Sequence, residues 1–208
     1  MLQHVNGSKD PPKRRATYED LLAVPDHLVA EIIDGELYTF PRPAVRHARA
    51  EIALGSLLFQ TFNKGRGGPG GWEILAEPEL HFDEDVLVPD LAGWHRERYP
   101  VIGPNDNPKF ITVPPDWICE VLSPSTMKID RGKKLGVYAR EGVKHVWFVV
   151  PLKTTVEIYE LQGSELVLCT THSGDERIRA VPFEAVEIAL LDLWPDFSTP
   201  VEQPSGGA

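Results

Sequence analysis

Apolar residues recur at Ile52, Leu54, Leu57, Leu58 and Phe62 within residues 44–63. This is the three-and-four spacing of one helix face, and it predicts the clearest helix of the chain. The following KGRGGPGG predicts a turn, because it lacks the Gly-Lys-Ser/Thr ending of a phosphate loop and no strand precedes it. Upstream, LVAEIIDGELYTF sets two short apolar runs around Asp34-Gly35, a hairpin signal that Pro41 and Pro43 close. TYEDLLAVP predicts a short helix with Thr17 as N-cap, acidic residues in its first turn and Pro25 as its stop.

Further along, WEILAEPELHF and VLVPDLAGW read as two strands separated by the acidic turn Asp83-Glu84-Asp85. Residues 97–115 form a long Pro- and Asn-rich loop, a length that is uncommon in compact domains unless the loop has a function. Residues 116–151 then read as strand, polar turn, helix, strand. TVEIYEL and ELVLCTTH flank Gln162-Gly163-Ser164 as another hairpin, while FEAVEIALLDLW fits a short helix and an edge strand equally well. The order predicts a single α+β (mixed α/β) domain over residues 17–197, with tails 1–16 and 198–208 expected to be disordered.

Composition changes this picture little. Apolar residues at 42% and charged residues at 25% are ordinary for a soluble globular protein. No apolar run approaches the roughly 18–20 residues of a membrane span. The first residues lack the apolar centre of a signal peptide, so a cytoplasmic location and no membrane partner are expected. The two cysteines, Cys119 and Cys169, have no metal-type spacing and build neither a disulfide framework nor a zinc cage. A net charge of −10 argues against coating nucleic acid through a broad basic surface. It is compatible with a carboxylate-rich site that takes up metal.

The candidate chemistry lies in two apolar strands, each carrying one acid. Asp90 shares a strand face with Val88 and Ala92, and Glu120 with Ile118 and Leu122. An acid among such neighbours is costly to bury unpaired. If the strands are adjacent, two carboxylates meet and repel, and a divalent cation would supply the missing charge. The Val121 carbonyl is a candidate third ligand beside Asp90 and Glu120.

VPDLAGW followed by ICEVLSPST resembles the Pro-Asp…Asp/Glu-x-Lys signature of the restriction-endonuclease-like superfamily. EIIDGEL, His47, PDL, EVLSPST, Asp130 with Lys134, Tyr138 and Gly142-Val143 together resemble a large bacterial family of putative restriction endonucleases, over roughly residues 17–195. The resemblance implies a fold in which a helix, three strands, a helix and a fourth strand build a central mixed sheet. To this the chain adds an N-terminal hairpin and C-terminal strands. It also implies hydrolysis of DNA phosphodiester bonds assisted by Mg²⁺, with Mn²⁺ as the other candidate, by a homodimer. Asp90 and Glu120 fall on the metal-binding acids.

One position departs from the signature, since Leu122 stands where its lysine belongs. The resemblance implies that the lysine has moved to the next helix, where Asp130, Lys134 and Tyr138 are spaced four apart on one stripe. Lys134 is the candidate, with Lys133 as the alternative. Glu31 and His47 match the pattern as further site residues, and Arg42, Arg46 and Arg49 could form a basic rim for phosphates. A catalytically weak nucleic-acid or partner-binding module on the same fold is the competing reading.

Overall fold

The computed structural model describes residues 14–103 and 105–194. Its centre is a six-stranded mixed sheet in the order β10-β9-β8-β7-β6-β3. These strands are β3 (Trp72–Ala76), β6 (Leu91–His95), β7 (Trp117–Val121), β8 (His145–Val150), β9 (Thr155–Gln162) and β10 (Glu165–Ser173). Only β7 and β8 run parallel; the other neighbours are antiparallel. The parallel pair needs a crossover, which the helical stretch from Met127 to Arg140 supplies. This is the expected α+β architecture.

Both faces of the central strands are buried, so β7 and β8 read as nearly continuous apolar runs. Trp117, Cys119, Trp147 and Val149 enter one core beneath helix α2 (Val45–Leu58). Ile118, Leu122, Val146 and Phe148 enter the other, together with Val137 and Tyr138 of helix α4 (Leu135–Arg140). Glu120 alternates into this second layer between Ile118 and Leu122.

The N-terminal hairpin pairs β1 (Leu28–Ile33) with β2 (Glu36–Pro41), and its turn holds Asp34 at φ 53° and Gly35 at φ 75°. Two successive left-handed residues match the right-handed twist of the strands they join. Helix α1 (Tyr18–Leu22) carries the predicted Thr17 cap, reinforced by Asp20 in a capping box. Of residues 1–16, the described Ala16 donates its N–H to the Gly35 carbonyl, and Arg14 pairs with Asp20 at 2.8 Å. Residues 1–13 and the tail 198–208 lie outside the described residues.

Four elements differ from the sequence reading. WEILAEPELHF and VLVPDLAGW are each two strands, with β4 (Leu80–Phe82) and β5 (Asp85–Leu87) joining β1 and β2 in a second sheet. Pro78 and Pro89 supply no N–H to a ladder, and Glu77 turns the chain at φ 46°. Ile52 is exposed, so the buried face of α2 is Ala50, Leu54 and Leu58. The helix continues as a π-turn over Phe59–Asn63. The helix after SPST likewise runs α3 (Met127–Ile129), a π-turn over Asp130–Lys134, then α4. The undecided C-terminal segment is both a two-residue strand, Ile188–Ala189, and a 3₁₀ turn, Leu190–Leu193. Among the described residues no helix is long and apolar enough to cross a membrane.

Candidate active site

Strand β7 pairs with β6 so that Leu91 faces Cys119 and Ala92 faces Ile118. Continued one step, this register sets Asp90 opposite Glu120, at the open end where β6 begins and β7 finishes. Asp90 is fixed there by its neighbours: its Oδ2 accepts the Val121 N–H at 2.6 Å, and its Oδ1 meets His47 Nε2 at 2.7 Å.

The helix over β7 brings the predicted stripe down onto this end. Asp130, Lys134 and Tyr138 are all buried. Lys134 Nζ lies 2.7 Å from Glu120 Oε1, 2.9 Å from Glu31 Oε1 and 3.6 Å from Asp130 Oδ1. Tyr138 donates its hydroxyl to Glu120 Oε1 at 2.5 Å. Glu31, from the middle of β1, also accepts the Val88 N–H at 2.7 Å. Lys133 points elsewhere, to Glu36 at 2.8 Å. Of the two lysines, Lys134 is therefore the one in the site.

Helix α2 contributes from its first turns. His47 and Glu51 are one turn apart, with Nε2 and Oε2 separated by 3.9 Å. Donor atoms of His47, Glu51 and Asp90 lie within 4.8 Å of one another, and this is the group of three or more potential metal-binding side chains found among the described residues. It keeps Asp90 of the expected set and joins it to His47 and Glu51. Glu120 and Val121 line the same cleft, with Glu120 already engaged by Lys134 and Tyr138 through Oε1.

The cleft has a volume of about 290 Å³. Its walls carry the carboxyl groups of Glu31, Glu77, Asp90, Glu120 and Asp130, against the fixed cations Lys134 and Arg42. Burial raises the Glu120 carboxyl well above its usual range; Lys134 opposes this, while Asp130, Asp90 and Glu31 add to it. Glu31 and Asp130 are raised by burial in the same way, against the pull of Lys134. Burial alone would lower the Lys134 ammonium, but the attraction of Glu120 and Glu31 outweighs it and holds the charge in place. Glu51 is pushed up to about 7 by burial and by repulsion from Asp90 and Glu77. His47 is raised by Asp90 and Glu51 despite its burial. This excess of acid over base fits a divalent cation, and the oxygen and imidazole donors are of the right kind to hold one.

Every candidate from the sequence, Glu31, His47, Asp90, Glu120, Val121 and Lys134, lines this one cleft. Arg42 does too, with its guanidinium on the Asp26 carbonyl. His81 contacts Glu79 and stacks on Phe110, and His95 lies against Trp72. Sequence reasoning missed Glu51. Its signal was the four-residue step from His47, which places both on one helix face.

A crystal structure of a putative nuclease from Anabaena variabilis ATCC 29413 shares this fold, with a TM-score of 0.67 at 22% identity, over 86% of this chain and 97% of that one. No curated protein matches the chain. The family model described as "Putative restriction endonuclease" matches residues 15–191, nearly the whole described structure. The chain therefore belongs to the Uma2 family of putative restriction endonucleases.

Proposed function

We propose that the chain is a divalent-metal-dependent nuclease that hydrolyses phosphodiester bonds of DNA. The observation that carries this reading is Lys134, a buried ammonium held between Glu31 and Glu120 at the wall of the acidic cleft. A buried cation clasped by two acids costs desolvation energy on both sides. Packing alone gives no return for that cost, and a charged cluster at the wall of a cleft is the kind of feature that catalysis uses. Lys134 takes the place of the signature lysine that Leu122 lacks, reaching Glu120 from the helix instead of from the strand.

A divalent cation of the Mg²⁺ or Mn²⁺ kind, when bound, would polarise a phosphoryl oxygen and make water more acidic. Asp90 and Glu120, whose Oε2 neither Lys134 nor Tyr138 engages, would hold it with the Val121 carbonyl. The remaining work falls to the chain's own groups. Lys134 stabilises negative charge that grows on the phosphate, an effect worth ~10²–10³ in rate when one such donor is lost. Tyr138 and Lys134 fix the Glu120 rotamer, and the Val121 N–H fixes Asp90. Arg42, at the mouth, is placed to meet a neighbouring phosphate. A homodimer would set two such clefts on the two strands of a duplex.

The test is an assay of supercoiled plasmid, linear duplex, single-stranded DNA and RNA with Mg²⁺, Mn²⁺ or EDTA. The expected result is metal-dependent cleavage of DNA that EDTA abolishes. Absence of cleavage of every substrate with either metal contradicts the proposal.

A further inference from the structure

We propose that the cleft takes one nucleotide of an unpaired DNA strand, and that a continuous duplex is a poor substrate. The inference rests on the nuclease reading and names the form of DNA on which the site acts. The reacting groups lie deep in the cleft: the side chains of Lys134 and Glu120 are only 3% and 5% exposed. A scissile phosphate must therefore descend between two walls to reach them. One wall is the N-terminal hairpin with the turn after it, and the other is the turn at residues 123–126. The space between them is about 290 Å³, at the lower limit of sites for single small molecules, which run from about 300 to 1,000 Å³. It suits one nucleotide. B-DNA is stiff over about 150 base pairs, so a duplex bridges a narrow mouth, whereas a single strand bends into it.

The lining and the charge agree with this. Beside the acids, the walls carry Val29, Pro41, Pro43, Ala44, Val88 and Pro124. Such surface suits the faces of a sugar and a base, which a duplex keeps stacked and paired and an open strand exposes. The Ser123 and Ser125 hydroxyls, 2.8 Å apart, add hydrogen-bonding groups without charge. Proteins that hold a duplex by its backbone make on the order of 6–10 phosphate contacts through Lys and Arg. Here the lining cations are Lys134 and Arg42. Cations along the crossover helix are committed to acids: Lys133 to Glu36 at 2.8 Å, Arg131 to Glu157 at 2.8 Å, and Arg140 to Asp85. Arg46 and Arg49 sit on the exposed side of α2 and do not line the cleft. In a chain of net charge −10, this set serves a few phosphates and not a duplex backbone. A duplex is then cut where its strands part.

The experiment gives the full chain one labelled DNA oligonucleotide in three forms: single strand, blunt duplex, and duplex with a central unpaired bubble. Binding is read by fluorescence anisotropy in Ca²⁺ across a salt series, and cleavage in Mn²⁺. The expected result is a single strand bound at least about tenfold more tightly than the blunt duplex, with cuts in the bubbled duplex confined to the bubble. The slope of log affinity against log salt should be about −1 to −2, for two phosphate contacts at about 0.7 each. Arg42→Ala, at an exposed position, should bring that slope about 0.7 closer to zero. Equal binding of single strand and blunt duplex, a slope of about −5 or steeper, or binding of no form overturns the proposal. The wild-type comparison decides this even if the variant fails to fold. Preferential binding of the single strand by a chain that cuts nothing supports this inference and sinks only the nuclease reading; cleavage of the blunt duplex as fast as the single strand does the reverse.

Discussion

Lys134 has three carboxylates as its nearest polar neighbours and almost no contact with water. Lys134→Met should therefore act on stability as well as chemistry. Removing one partner from a buried ion pair leaves uncompensated charge and costs about 3–5 kcal/mol. The sign of its pH dependence follows from the acids left behind. Burial raises Glu31 and Glu120 in the folded state, so the folded variant binds protons that the unfolded chain does not. Its stability should rise as pH falls from neutral toward the ordinary carboxylate range, which thermal unfolding as a function of pH will show. Any hydrolysis should drop by ~10² or more. Lys134 was legible because a four-residue step from Asp130 and to Tyr138 reads as one stripe whether the turn is α or π. Glu51 was overlooked despite its four-residue step from His47, because a charged residue between Ala50 and Ile52 looks like the solvent face of an amphipathic helix. Only the packing of α2 against the start of β6 brings it near Asp90.

Among the elements, α2 is the scaffold that delivers His47 and Glu51, and its inner face is Ala50, Leu54 and Leu58. Leu54→Ala should cost about 2–5 kcal/mol in urea unfolding, as a cavity in a packed core. Ile52→Ala, at a position 66% exposed, should stay within about 0.5 kcal/mol. Asp116 clasps the other end of the sheet: it accepts the His95 N–H at 3.0 Å, meets Lys144 at 3.1 Å and pairs with Arg98. Burial pushes its carboxyl up, but these donors outweigh that and hold it below its usual range. Its stabilisation is therefore present above the unfolded value and lost as pH falls through the folded one. Asp116→Asn should lower the melting temperature at neutral pH, and the gap should close below about pH 4. Helices and hairpins were readable from local periodicity and turn residues. Strand breaks at Glu77-Pro78 and Pro89 were visible as prolines, but the pairing of β5 with β1 and β4 joins segments far apart in sequence. No local pattern encodes that partnership.

Across the whole molecule, two sheets and the crossover helix converge on one acidic cleft in a chain of net charge −10. One acid in the apolar strand β7 and one in the bend just before β6, where a strand was expected, were enough to find its centre, because burial of a lone carboxylate demands an explanation. The order of the six strands was not readable in the same way, apart from the core that the resemblance implied. The central claim is that Glu120, clasped by Lys134 and Tyr138, belongs to phosphodiester chemistry. The measurement that tests it most directly is the single-turnover rate of plasmid cleavage by wild type and by Glu120→Gln, with Mn²⁺ and Mg²⁺, on protein whose folding is verified by circular dichroism. Glu120→Gln keeps the shape and removes the charge, so the account predicts cleavage by wild type and a loss of ~10² or more in the variant. Equal rates for the two folded proteins would contradict it.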